Sequence, residues 1–176
     1  MSRPELSLFS YEILGLIGEG GVGAHDLLRL ARERRMLAWA GESQYYVEPK
    51  RLAKLGYAKA RREPGRTRER TVYSLTEKGR RALRAWARTP VRFTPLKSEA
   101  LQRVLIADLV GEAGALEGLL PLRDDMADLQ RVLAESREAA SALPHRRKYL
   151  ELNLDFLDGL MKLHLDWIDE VERRFS

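Results

Sequence analysis

The chain has 176 residues, a net charge of +5 and no cysteine. Its length suffices to bury a core in one domain or a small pair. The missing cysteines exclude a disulfide framework, thiolate metal sites and cysteine nucleophiles, and they suit a reducing cytoplasm.

The charge is segregated. Residues 1–92 hold 20 Lys/Arg against 10 Asp/Glu, while residues 93–176 hold 11 against 16. Such asymmetry is expected when one half meets a polyanion and the other does not. No run of about 18 apolar residues predicts a membrane span, and the N-terminus lacks the apolar segment of a secretory signal. A cytoplasmic protein is expected.

In chain order, Leu8–Ile17 reads as a short helix capped by Ser7, with Ile13, Leu14, Leu16 and Ile17 on its apolar face. The glycine-rich run Gly18–Gly23 breaks it. No strand precedes that run and no Lys-Ser/Thr follows in register, so it is no phosphate cradle; a helix–helix turn is expected. A second helix is predicted over Ala24–Arg35, with Leu27, Leu30 and Ala31 inward, and Trp39 is expected to pack the following turn. Ser43 then caps a third helix carrying Val47, Leu52 and Leu55, which Gly56 ends. Pro49 predicts a kink within it.

Two strand-like runs follow, Tyr57–Arg62 and Arg68–Leu75, joined across Glu63-Pro64-Gly65-Arg66. Thr76 caps a further helix through Arg88. Between Tyr57 and Leu75 lie Lys59, Arg61, Arg62, Arg66, Arg68 and Arg70, opposed by Glu63 and Glu69. A helix followed by a cationic two-stranded hairpin is the layout of a winged helix-turn-helix, with the helix in the DNA major groove and the hairpin along the phosphates. The residues expected at DNA are Ser43, Gln44, Tyr45, Tyr46, Lys50 and Arg51 on the helix and Arg62, Arg66, Arg68 and Arg70 on the wing. Gln44 and Tyr45, near the helix N-terminus, are the expected base readers.

Thr89 to Pro95 holds two prolines and is the expected linker, residues 90–96, between a DNA-binding domain (1–89) and a helical domain (97–176). Ser98–Val110 carries Leu101, Val104, Leu105 and Leu109 on one face. The next helix runs to about Leu143, with Leu119, Leu122, Met126, Leu129 and Leu133 at the steps of a packed seam; Pro121 either kinks it or marks its start. The last helix, Arg146–Phe175, has two apolar stripes. One is Leu150, Leu154, Leu157, Met161, Leu165, Ile168, Val171 and Phe175; the other is Tyr149, Leu152, Phe156, Leu160, Leu163 and Trp167. One stripe serves a compact monomer. Two predict burial against a second copy, with Leu150, Leu154, Leu157, Met161, Leu165 and Ile168 at the interface; packing of one stripe on the DNA-binding half of the same subunit is the alternative.

Two motifs carry a family resemblance. Tyr46-Val47-Glu48-Pro49-Lys50-Arg51-Leu52-Ala53-Lys54-Leu55-Gly56 resembles the recognition helix of the PadR family of bacterial transcriptional regulators, with Val47 and Pro49 departing from the family pattern. Tyr73-Ser74-Leu75-Thr76-Glu77-Lys78-Gly79 resembles that family's step from wing to helix. The resemblance implies pairing through C-terminal helices and repression of a promoter, commonly relieved by a small apolar or aromatic effector. Trp86 and Trp167 are the candidate effector-binding residues, since a flat aromatic wall suits a planar ligand.

His25, His145 and His164 have no metal-ligand spacing, and no nucleophile–base pattern appears. Neither catalysis nor a cofactor is expected. The fold class expected is mostly α: an α+β winged helix-turn-helix domain with a two-stranded wing, plus an all-α C-terminal domain of long helices. The function expected is that of a homodimeric regulator on a pseudo-palindromic operator of double-stranded DNA. The alternative is a helical interaction module whose winged domain no longer reads DNA; Lys50, Arg51 and the wing arginines argue against it.

Overall fold

A computed structural model describes residues 5–33, 40–64 and 69–176, with only the backbone described over 31–33. The chain divides into two compact units, Met1–Arg92 and Phe93–Ser176. In chain order the first holds helix α1 (Leu8–Ile17), strand β1 (Val22–Gly23), helices α2 (Ala24–Glu33) and α3 (Gln44–Lys54), strands β2 (Ala58–Glu63) and β3 (Arg70–Leu75), and helix α4 (Glu77–Trp86).

Local chemistry sets the helix ends. The Ser7 hydroxyl accepts the Ser10 N–H and the Ser10 hydroxyl accepts the Ser7 N–H, a reciprocal box that starts α1. Thr76 starts α4 by accepting the Gly79 N–H. At the end of α3, Gly56 takes φ +79°, which lets the Tyr57 N–H reach the Leu52 carbonyl and the Gly56 N–H reach that of Ala53. Ser43 does not cap α3 as expected. Its backbone is already helical and its side chain makes no capping bond; a tight turn from Gly41 leads in instead. The helix runs continuously through the buried Pro49.

The sheet has the order β1-β3-β2, antiparallel throughout. The β2–β3 wing pairs from Ala58↔Leu75 to Glu63↔Arg70. Strand β1 was not foreseen: Val22 and Gly23, expected in a helix–helix turn, pair with Tyr73 and Val72. Two residues are too few to show an alternation. Phe9, Ile13, Leu14 and Ile17 of α1, Leu27 of α2, Tyr45 and Leu52 of α3, and Tyr73 of β3 form the core that seats α3 against the wing.

The second unit is helical: α5 (Glu99–Leu105), α6 (Ala107–Val110), α7 (Glu112–Glu117), α8 (Leu122–Ser141) and α9 (Pro144–Phe175). The single helix expected over Ser98–Val110 is interrupted at Ile106, and its presumed inner face is exposed at Leu101, Leu105 and Leu109. Pro121 stands just before α8 and so marks its start. Pro144 occupies the first turn of α9, where its missing N–H costs nothing.

Helices α8 and α9 pack on Met126, Leu133 and Ala140 from one side and Leu154, Leu157, Met161, Ile168 and Val171 from the other. Arg123 bridges to Asp169 and Glu172, and Arg137 to Asp155 and Asp158, across the same pair. Thus the stripe expected at the interface is the intramolecular one. Leu154, Leu157, Met161 and Ile168 are buried, with Leu150 and Leu165 half-buried. The exposed stripe is Tyr149, Leu152, Phe156 and Leu163. No helix among the described residues is long and apolar enough to cross a membrane.

Candidate nucleic-acid interface

The solvent side of α3 and its lead-in turn consists of Ser43, Gln44, Tyr46, Val47, Lys50 and Lys54. All six are linked by steps of three and four, so they share a face. Tyr45 lies about 100° round the helix from Gln44 and points into the core.

Tyr45 is 1% exposed. Its hydroxyl donates to Glu12 at 3.1 Å, and its ring meets Phe9 edge to face with centroids 5.0 Å apart. Burial, then the Glu12 charge and that hydrogen bond, push the phenol up to about 12. Tyr45 therefore cannot read a base as expected; it anchors α3 to α1.

Arg51 is likewise committed within the subunit. Its guanidinium clasps Glu48 at 2.7 and 2.8 Å and donates to the Ser10 hydroxyl at 3.1 Å and the Glu5 carbonyl at 3.0 Å. Burial alone would raise the Glu48 carboxyl, but hydrogen bonds from Arg51 and Ser10 outweigh it and hold the group below the usual range. The expected DNA contact at Arg51 gives way to a strap tying α3 to α1. The preference follows from the planar fork, which matches a carboxylate bidentately.

On the wing, Arg62 pairs with Glu69 at 3.5 Å, Arg61 with Glu63, and Arg70 with Glu63 and Asp26 at 3.6 and 3.7 Å. The arginines of these pairs are exposed and Glu63 and Asp26 half-buried; each pair contributes about 0–1 kcal/mol, so phosphate can displace the carboxylates. Arg66 and Arg68, also expected at phosphates, lie outside the described residues, as does Trp39.

Between α3 and β2 runs an open groove of about 570 Å³, lined by Lys50, Ala53, Lys54, Ala58, Lys59, Ala60, Tyr73 and Thr76. Alanines on both walls keep it open. Lys50, Lys54 and Lys59 are exposed and make no ion pair among the described residues. Three unpaired ammonium groups around one trough make a cationic track. Lys54 and Lys59 were missing from the expected contacts, although the i, i+4 spacing of Lys50 and Lys54 placed them on one face.

The candidate effector residues sit in different units. Trp86 stacks parallel on Tyr11, centroids 4.7 Å apart at 7°, which clamps the end of α4 onto α1. Trp167 is half-buried on α9. No group of three or more metal-ligating side chains is found among the described residues.

No protein-family model matches the chain, and no curated protein matches its sequence. Its structure, however, superposes on solved ones along nearly the whole length. Bacillus subtilis PadR in complex with operator DNA matches with a TM-score of 0.77 at 21% identity, over 97% of this chain and 100% of that one. This chain has the PadR fold. The PadR-like transcriptional regulator BC1756 from Bacillus cereus matches at 0.71 and 14% identity, over 97% and 99% of the two chains. Bacillus subtilis PadR in complex with p-coumaric acid matches at 0.64 and 20% identity, over 98% and 99%. The PadR-like fold accounts for a winged unit and a helical unit in one chain.

Proposed function

We propose that the protein is a sequence-specific DNA-binding transcriptional regulator of PadR type, working as a cytoplasmic homodimer and not as an enzyme. The observation that carries this reading is the groove of unpaired lysines between α3 and the wing. A helix in the major groove brings the flanking phosphates to the gap between helix and wing. Lys50, Lys54 and Lys59 then hold the backbone while Gln44 addresses a base edge, which glutamine can bond bidentately at adenine. Ser43 and Tyr46 flank it on the same exposed side. A similar solved protein is bound to operator DNA, which agrees with this assignment of the winged unit.

The second copy would cover the apolar stripe Tyr149, Leu152, Phe156 and Leu163 on α9. Leaving four such side chains in water is unfavourable by about 25 cal/mol per Å² of apolar surface. A two-fold pair would present two α3 helices to a pseudo-palindrome. A similar structure holds p-coumaric acid, in keeping with release from a repressed promoter by a small planar aromatic compound. Trp167 is the residue we assign to that ligand; one ring face of Trp86 is already stacked on Tyr11.

The test is selection of duplexes from a random synthetic pool by the purified chain, followed by sequencing. Enrichment of a two-fold symmetric site, with half-sites about one helical turn or a multiple apart, is the result expected. Recovery of an unenriched pool at low salt would overturn the reading.

A further inference from the structure

Val47 is the apolar exception on the reading face of α3. It is 62% exposed and lies one turn from both Gln44 and Lys50. It belongs neither to the buried core nor to the partly buried side chains packed on that core. Folding therefore does not use its methyl groups. Helix formation does not favour it either, since a β-branched residue at an exposed helical position is worse than the alanine or lysine found elsewhere on α3.

The chemistry of the opposing surface is restrictive. Base edges in the major groove offer hydrogen-bond donors and acceptors and a single apolar group, the C5-methyl of thymine. A valine set between a glutamine and a lysine can be matched there only by that methyl. We infer that Val47 is a specificity-determining residue that packs on the C5-methyl of one thymine in each half-site. The inference rests on the DNA-binding reading above and extends it from the phosphates and Gln44 to a particular base. A polar residue at this position would leave that base pair unread by apolar contact; valine makes thymine preferred over uracil as well as over cytosine.

The experiment uses the duplex enriched from the synthetic pool, which contains no methylated cytosine, so thymine is its sole source of C5-methyl groups. Each thymine is replaced in turn by deoxyuridine, which removes the methyl and keeps the pairing. For the unaltered protein, one thymine per half-site should lose about fourfold in affinity on replacement, the worth of roughly one buried methyl group. Val47→Ala should bind the thymine duplex more weakly and lose its sensitivity at that position. Val47→Ile, which keeps the apolar reach, should retain it. Two results would overturn the inference while leaving the DNA-binding reading intact: no thymine sensitive to replacement, or a sensitive thymine whose effect persists undiminished in Val47→Ala. Failure to enrich any duplex would overturn both.

Discussion

Gly79 and Tyr57 meet backbone to backbone: a Cβ on Gly79 would stand 2.2 Å from the Tyr57 carbonyl oxygen. Around that contact, Thr76 Oγ1 shares its proton between the Gly56 and Tyr57 carbonyls, at 2.7 and 3.0 Å. Lys78 Nζ donates to the Leu55 carbonyl at 2.8 Å and sits 4.1 Å from the centroid of the Tyr57 ring. The sequence Thr76-Glu77-Lys78-Gly79 thus fastens the start of α4 to the end of α3. Gly79→Ala must push the two backbones apart, and it should cost about 1–3 kcal/mol, as overpacking does. Chemical denaturation measures the loss. Unchanged stability would mean that α4 is free to shift, and that the fastening does not set the angle of α3.

Tyr45 separates anchoring from reading. Tyr45→Phe keeps the ring against Phe9 and removes the hydroxyl that donates to Glu12. It should cost about 1–2 kcal/mol of stability and leave affinity for the selected duplex within about twofold, since a buried residue makes no base contact. The pH dependence has a definite sign. The folded phenol, at about 12, lies above its ordinary value of 10.0. Its stabilisation is therefore complete below pH 10 and is lost as pH rises through 12. Denaturation midpoints over that alkaline window should fall less steeply for Tyr45→Phe than for the unaltered protein.

The groove lysines differ from Arg61, Arg62 and Arg70 in having no carboxylate partner among the described residues. Lys50→Ala, Lys54→Ala and Lys59→Ala together should weaken binding to selected and random duplexes alike. The dependence of log affinity on log salt should flatten by about 0.9 for each phosphate contact removed. Binding titrations at several salt concentrations give both numbers. A loss confined to the selected duplex would assign the lysines to bases instead.

The Arg51–Glu48 strap predicts an acid-side effect. Hydrogen bonding holds the Glu48 carboxyl below its ordinary 4.5. Its contribution is present above that value and is lost as pH falls through the folded pKa. Glu48→Gln should lower stability at neutral pH by about 1 kcal/mol, the partial exposure of Arg51 being allowed for. It should also flatten the acid limb of the stability profile, read from thermal midpoints between neutrality and pH 3.

Much of this was legible because the signals are local. Ser7 and Thr76 are caps whose partners lie three residues on, and Gly56 is a helix stop enforced by its own backbone. What sequence could not show was phase. Gln44 and Tyr45 are both near the start of α3, but only the packing of α1 decides that one faces water and the other faces Phe9 and Glu12. For the same reason periodicity revealed two stripes on α9 without telling which one α8 covers. Strand β1 exists only because β3 offers an edge to two residues. The distinction between Arg51, spent on Glu48, and Lys50, left free, depends on a side chain's partners, which no spacing records.

The final prediction turns on that exchange of stripes. Leu157 and Ile168 face α8 and are buried within one subunit, whereas Leu152 and Phe156 are 61% and 70% exposed. Leu157→Glu with Ile168→Glu buries two charges, each costing several kcal/mol, and should unfold the second unit. Leu152→Glu with Phe156→Glu places its charges in water and should keep the helical circular dichroism of the unaltered chain. If α9 pairs through the exposed stripe, that variant should sediment as a folded monomer while the unaltered protein sediments as a dimer. It should also bind the symmetric duplex weakly, since a single α3 offers one half-site of contact and about half the phosphates. A folded Leu152/Phe156 variant that remains a dimer would place the interface elsewhere, with the exposed leucines of α5 and α6 the next surface to alter. An unaltered chain that is monomeric yet binds the duplex tightly would remove the dimer from the mechanism altogether.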